Sequence, residues 1–217
     1  MTRSMMRGGV CAALLFGLTS LPARAQKWEF GVLGGGGFYT NGSVESPAGS
    51  GKVGFKPNAA VGAFLGNNTS KHWGGELRYE YRPGSLKVSS SGTEATFNGE
   101  SHAMHYDFLL HFAPTEAKMR PFVAFGGGVK LYRGTGEPTA TQPLSKLALL
   151  TDTHEVSGMG SVGAGVKVAA SSKWSFRFEV HDFITPFPKQ VIAAAPGAKI
   201  TGFLNDFVVM GGIALTF

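Results

Sequence analysis

The sequence predicts an all-β chain, an eight-stranded antiparallel up-and-down transmembrane β-barrel, and three observations carry that reading. Eight stretches alternate large apolar residues with small or polar ones at period two, the periodicity of a strand whose successive side chains point to opposite faces. The seven connections between them run long, short, long, short, long, short, long, the order expected when both chain ends lie on one side of a closed wall. The final stretch, Asp206–Phe217, is itself such a strand. Phe217, Leu215, Ile213, Gly211, Val209 and Phe207 share one face, and Thr216, Ala214, Gly212, Met210, Val208 and Asp206 the other. A strand in that position needs a hydrogen-bonding neighbour on both sides, and closure onto the first strand supplies one.

The elements follow in order. Residues 1–25 read as a secretory signal: Arg3 and Arg7 make a basic start, Val10–Leu21 a short apolar run, and Pro22-Ala23-Arg24-Ala25 a small-residue cleavage site. The mature domain is expected to span residues 26–217. Loss of Arg3, Arg7 and Arg24 lowers the formal charge from +6 to +3, so the basic balance gives no ground for a nucleic-acid partner. The single cysteine, Cys11, leaves with the signal, and no disulfide framework remains. After residue 25 no apolar run approaches the ~20 residues of a membrane helix. A membrane location therefore requires a closed barrel.

Strand one is expected over Lys27–Tyr39, with Trp28, Phe30 and Val32 opposite Glu29. A long loop follows over Thr40–Pro57, then strands at Asn58–Gly66 and Trp73–Arg82. In the latter Leu77, Tyr79 and Tyr81 face away from Glu76, Arg78, Glu80 and Arg82. Pro83–Gly92 reads as a loop, and Thr93–Phe112 as containing strand four. Pro121–Arg133 is strand five, with Val123, Phe125, Val129 and Leu131 against Ala124, Gly126, Gly128 and Lys130. The longest loop runs from Gly134 to Thr153, and its Leu144–Leu150 piece has the composition for a turn or two of helix. Strands at His154–Ala169, Trp174–Ile184 and Thr201–Phe217 complete the set.

Alternation alone does not say which face is inside, and a soluble lipocalin-like ligand-binding barrel would alternate with its apolar face inward. Three features favour aromatics outward. Trp28, Tyr39, Trp73, Tyr81, Tyr132 and Trp174 lie near strand ends, where an interfacial girdle belongs. The face opposite the aromatics is mostly Gly, Ala and Ser with scattered charges, which suits a narrow interior. The last strand also runs to the final residue. The inward set is then Glu29, Glu76, Arg78, Glu80, Arg82, His105, Asp107, His111, Lys130, Lys167, Arg177, Glu179, His181 and Asp206. Isolated charges in so narrow a space are costly, so they are expected to pair and plug the lumen; a gated or proton-conducting pore is the alternative.

The chain resembles the small outer-membrane β-barrel families grouped with the OmpA-type transmembrane domain and the OmpX-like proteins. The resemblance covers residues 27–217 and rests on the signal, the eight segments, the loop order, the opening G-V-L-G-G-G-G-F-Y and the closing A-L-T-F. It implies a bacterial outer-membrane location after export, with the longer loops outside and Ala113–Arg120 and Ala170–Lys173 facing the periplasm. It also implies that Ile213, Leu215 and Phe217 serve as the C-terminal signal read by the barrel-insertion machinery. Outer-membrane lipid and lipopolysaccharide are the expected partners, the barrel is expected to be a monomer, and the implied role is non-enzymatic: structural, adhesive or surface-interacting.

Other chemistries fit the residues less well. The same fold class includes lipid A deacylases and palmitoyltransferases, but no His here is followed two places later by Ser. His102 and His105 fall on opposite strand faces and make a poor metal pair, so neither metal nor cofactor is expected. Gly158-Met159-Gly160-Ser161-Val162-Gly163 spells G-x-G-x-x-G but opens no helix, so it fails as a dinucleotide site. Residues Ile184–Ile200 are unusually apolar for a loop. They read as folded on the barrel rim or resting in the outer leaflet, or alternatively as a partner-binding surface.

Overall fold

The computed structural model describes residues 28–137 and 141–217. The expected signal, Cys11, Gln26 and Lys27 lie outside the described residues, as do 138–140 of the longest loop. Eight strands form the wall: β1 (Trp28–Tyr39), β4 (Asn58–Asn67), β5 (Trp73–Ser90), β6 (Thr93–His111), β7 (Met119–Gly134), β9 (His154–Ala169), β10 (Trp174–Pro186) and β13 (Phe203–Thr216). Each pairs antiparallel with its neighbour in the order β1-β4-β5-β6-β7-β9-β10-β13. The ring closes where β13 meets β1, with Phe30 opposite Leu215 and Tyr39 opposite Asp206. Backbone bonds of 3.2 Å and 2.9 Å between Trp28 and Phe217 finish the seam. The eight-stranded antiparallel barrel read from the alternation is thus the fold observed.

The alternation also has the expected sense. Trp28, Phe30, Val32, Leu77, Tyr106, Phe125, Phe176 and Phe178 are exposed on the outside, whereas every carboxylate and guanidinium of the inward set is buried. Trp28, Trp73 and Trp174 ring the short-turn end, where an aromatic girdle anchors a barrel to the membrane interface. Tyr39 and Tyr132 correct the girdle reading: both are buried inside, at 6% and 0% exposure. Parity decides this, because Tyr39 shares its face with Glu29 and Leu33, and Tyr132 shares its face with Lys130. Nor is the inner face made only of small residues and charges, since Phe64, Phe122, Phe183, Met159 and Met210 also point inward.

At the long-loop end the structure departs from the sequence reading. Thr40–Pro57 is not an irregular loop but contains the hairpin β2 (Gly42–Ser46) and β3 (Gly49–Phe55). Pro83–Gly92 is not a loop either. β5 and β6 continue past it as one long hairpin closed by Ser91 and Gly92, whose φ values of +48° and +82° suit the two-residue turn that matches strand twist. Pro83 is tolerated because it sits where β5 changes partners: β4 pairs with it up to Tyr81, and β3 only from Leu86. At the top of this hairpin Lys56 lies 2.7 Å from Glu94 and holds that exposed carboxyl below its usual range.

Leu144–Leu150 makes one hydrogen-bonded turn at Leu144–Ala148 and then a short strand rather than a helix. β8 (Ala148–Leu150) pairs with β11 (Ile192–Ala194), and β12 (Lys199–Thr201) pairs with β2. These pieces share one apolar core. Val44, Val53, Leu86, Val88, Val191 and Ile192 are wholly buried in it, with Phe55, Phe187, Leu147 and Ile200 beside them. The apolar Ile184–Ile200 segment therefore folds onto the barrel mouth, where its aliphatic residues close the long-loop end as a cap.

This topology predicts that cysteine placed at Ser46, in the β2–β3 hairpin, is labelled by an impermeant thiol reagent on intact cells. Cysteine at Ser172, in a short turn at the opposite end, is expected to stay unlabelled. Equal labelling of both would contradict the strand count.

Candidate functional site

Glu76, Arg78, Glu80 and Arg82 alternate along β5, so all four project into the lumen. Arg177, Glu179 and His181 do the same on β10. In the ring these strands stand diametrically opposite, with three strands between them on either side. The two charged rows meet across the bore. Arg177 grips Glu76 with both guanidinium nitrogens, at 2.5 and 2.7 Å, and its Nε donates to Glu179 at 2.5 Å. Arg78 reaches back across to both carboxylate oxygens of Glu179 and donates to Glu80 at 3.2 Å. Two-pronged arginine–carboxylate contacts are the strong form of this interaction because two charge-assisted bonds share one fixed geometry. The Arg177 guanidinium is also sandwiched between the rings of Phe64, at 4.4 Å, and Phe122, at 4.5 Å.

The lattice extends toward both ends. Toward the short-turn end Lys167 bridges Glu29, at 2.5 Å, and Glu76, at 3.3 Å. On the far side His105 lies between Asp107, at 3.1 Å, and Glu80, at 3.8 Å. Ser161 is 3.4 Å from both Asp107 and His181. Nearer the cap Asp206 holds Arg82 and Lys130 together, and both cations lie over the Tyr39 ring. Tyr39 bonds Ser101 at 3.2 Å, and Tyr132 bonds Thr185 at 2.8 Å. All twelve residues expected to form a lumen network (Glu29, Glu76, Arg78, Glu80, Arg82, His105, Asp107, Lys130, Arg177, Glu179, His181 and Asp206) sit inside and buried. Among the described residues the buried lumen holds six carboxylates and six Lys or Arg side chains, so with neutral histidines its charges cancel.

Wall glycines make room for this. A Cβ on Gly163 would lie 2.7 Å from the His181 ring, and one on Gly165 would lie 2.6 Å from Phe122. The side chains that fill the bore therefore need a bare wall at those two positions.

Two inward residues behave differently from the network. Arg120, which the sequence placed in a polar turn, is buried and ties the short turns together: it bonds Ala113 O at 3.2 Å, Asn68 Oδ1 at 2.8 Å and Lys71 O at 2.9 Å. Its inward parity with Phe122 and Ala124 was the available signal. His111 is inward and buried, but neither ring nitrogen has a hydrogen-bond partner among the described residues. His102 faces out and is bonded to Tyr79, on the opposite side of β6 from His105. Gly158–Gly163 lies within β9. At the last strand Ile213 is exposed on the outer face, with Leu215 and Phe217 half-buried.

A closed antiparallel ring with an apolar, aromatic-banded exterior and a paired-charge interior defines a membrane-spanning β-barrel. The chain belongs to the outer membrane protein beta-barrel domain family, whose description matches residues 11–189, and it is an outer-membrane protein of the bacterial cell envelope. Its fold is similar to that of OprG from Pseudomonas aeruginosa, at a TM-score of 0.57 and 12% identity, covering 89% of this chain and 99% of that one. The N-terminal barrel domain of OprF from Pseudomonas aeruginosa aligns at TM-score 0.46 and 13% identity, over 87% of this chain and 97% of that one. Neisserial surface protein A aligns at 0.47 and 10%, over 89% and 98%. No curated protein matches the sequence significantly.

Removing one partner of a buried ion pair strands the other and costs about 3–5 kcal/mol. Arg177→Ala, which removes the two-pronged partner of Glu76 and one of the two arginines on Glu179, should destabilise the barrel by that amount in urea unfolding. Arg133→Ala, at an exposed pair 3.6 Å from Glu100, should cost under about 1 kcal/mol. Equal effects would mean that the lumen charges are solvated.

Proposed function

We propose that this protein is a non-enzymatic outer-membrane barrel with a closed lumen, acting through its surface in a structural, adhesive or surface-interaction role. The observation that carries the reading is the pair of arginine–carboxylate bridges spanning the bore from β5 to β10. Side chains of residues that are at most 4% exposed occupy the cross-section there. An eight-stranded wall leaves an interior just wide enough for side chains, and here they are tied to both walls. The apolar cap over the outer mouth adds a second barrier. The working surface is then the exterior: the aromatic-banded wall in contact with outer-membrane lipid and lipopolysaccharide, and the cap with its hairpins. A monomer needs no further interface, because the ring leaves no open edge in the wall.

The alternative of a lipid-modifying enzyme finds its nearest chemistry at Ser161, His181 and Asp107, the residue types of acyl transfer. Ser161 is 6% exposed and lies among charges in the bore, where an acyl chain has no path to it. The insertion machinery would read the terminal strand through Ile213, Leu215 and Phe217 before the lumen is assembled.

Reconstituted in planar bilayers, the wild type should give no large, stable porin-like conductance, and its expression should leave the acylation of lipid A unchanged. Large, stable conductance would instead favour a gated or proton-conducting pore. A changed acylation pattern would favour the enzyme.

A further inference from the structure

The outer rim of the wall is not uniform. The apolar band of a membrane barrel is about 25 Å tall, and a strand tilted by about 40° climbs about 2.5 Å per residue, so about ten residues cross it. Counted from the tryptophan girdle, Trp73 leads to Pro83 on β5, and Leu110, which pairs with Trp73, leads to Glu100 on β6. Pro83 and Glu100 stand opposite each other, so both counts reach one level. The outward residues around that level are polar. Tyr81 donates to Glu100 Oε2 at 3.2 Å, and His102 lies 3.6 Å from Glu100 Oε1 and bonds Tyr79 at 2.7 Å. Arg133 on β7 lies 3.6 Å from the same carboxylate oxygen. Its side chain is 60% exposed, so the guanidinium stays open to a ligand, and exposed His154 of β9 is its cross-strand neighbour. On the other side of the ring the same count ends at Phe38, from Trp28, and at Ile184, from Trp174, both exposed and apolar.

We propose that this polar arc from β5 to β9 is a binding site for the phosphorylated sugar headgroup of lipopolysaccharide, with the Arg133 guanidinium on a phosphate and Glu100 on the sugar hydroxyls. The proposal deepens, and rests on, the reading of the exterior as the working surface, with the long-loop end outward. Depth sets what covers this face. β5 and β6 present one continuous outward face, with Leu77, Tyr106 and Phe108 in the band and the Tyr81–Glu100–Arg133 cluster at its edge. Lys87, Thr96 and Asn98 follow above. A molecule lying along that face must be apolar below, charged at the edge and hydrogen-bonding above. Acyl chains, phosphate and sugars follow one another in that order along a glycolipid. A guanidinium matches phosphate through paired donors, and the contact gains strength at the margin of a low-dielectric layer. A phosphate alone would call only for cations. Glu100 repels it but accepts from sugar hydroxyls, and the Tyr79 and Tyr81 oxygens donate or accept. This mixture selects a phosphorylated sugar over a plain anionic phospholipid. The arc at Phe38 and Ile184 offers no such partners, so the glycolipid is held on one side of the barrel.

The test titrates the purified, folded barrel in a zwitterionic detergent with lipid A carrying both phosphates, followed by calorimetry. Saturable binding is expected. Lipid A stripped of its phosphates, and phosphatidylglycerol, should each bind roughly tenfold more weakly or worse, as the loss of charged hydrogen bonds implies. Arg133→Ala should cost roughly tenfold in affinity for the same reason, while the gel shift of the folded barrel on heating is unchanged. Glu100→Gln keeps the cation and removes the charge that disfavours a bare phosphate, so it should narrow the gap between lipid A and phosphatidylglycerol. Lys173→Ala removes a cation at the opposite end and should bind as the wild type does. Absence of saturable binding by the wild type would overturn the proposal. So would equal binding of phosphatidylglycerol or of the stripped lipid, wild-type affinity in Arg133→Ala, a gap unchanged in Glu100→Gln, or an equal loss in Lys173→Ala. Planar-bilayer conductance reports separately on the closed lumen and thiol labelling at Ser46 on the orientation, so failure of this proposal and failure of the reading beneath it are distinguishable.

Discussion

Arg177 and Arg78 occupy the centre of a tube from which water is largely displaced, and a bare guanidinium there would be prohibitively costly. Each is held by carboxylates from both walls: Arg177 by Glu76 across the bore and Glu179 on its own strand, Arg78 by Glu179 across the bore and Glu80 on its own. The interior follows from this constraint. Lys167 balances the second face of Glu76, Phe64 and Phe122 cover the flat faces of Arg177, and glycines on β9 yield the space. The lattice is weak as a source of net stability, since desolvation offsets much of the attraction, but it is strong as a device of specification. Only one register of β5 against its neighbours brings Glu76 to Arg177 and Arg78 to Glu179 together. A slip of β5 by one residue would turn Arg78 toward lipid together with Glu76 and Glu80.

The two ends of the bore are finished differently. At the outer mouth the closure is apolar: Val44, Val53, Leu86, Val191 and Ile192 come from three separate connections and bury one another completely. Segments that would be costly to order singly gain a shared core when they meet. At the inner end Arg120 organises the short turns by backbone and amide contacts, and the space between them remains polar and open. A barrel closed by charge in the middle and by hydrocarbon on one side thus presents one dry and one wet surface to the two compartments it separates.

Most of the wall was legible in the sequence because period-two alternation is a local signal with one physical cause. Trp174–Ile184 and His154–Ala169 could be bounded to within two residues for that reason. The lumen residues were legible by the same parity: once Glu76 is inward, Arg78, Glu80 and Arg82 must follow. What escaped was whatever tertiary packing decides. Ser85–Ser90 and Ser43–Ser46 look like loops because their polar residues outnumber the apolar ones. Yet Leu86, Val88 and Val44 are enough to seat them as strands once the cap supplies an apolar partner. Tyr39 and Tyr132 were misread because a place near a strand end was given more weight than parity. The pairing of Arg177 with Glu76 rather than with a neighbouring strand's carboxylate depends on which strands face each other, and that becomes definite only when the ring closes.

The central claim is that β5 and β10 are coupled through the bore, and a double-mutant cycle on Glu76 and Arg177 measures this most directly. Glu76→Gln, Arg177→Met and the double variant are unfolded in urea from the same lipid, and the coupling free energy is taken from the four stabilities. The account predicts that the double variant is more stable than the sum of the single losses implies, with a coupling of about 2 kcal/mol or more. Additive losses, with a coupling near zero, would show that the two residues act independently and would contradict a lumen closed by their contact.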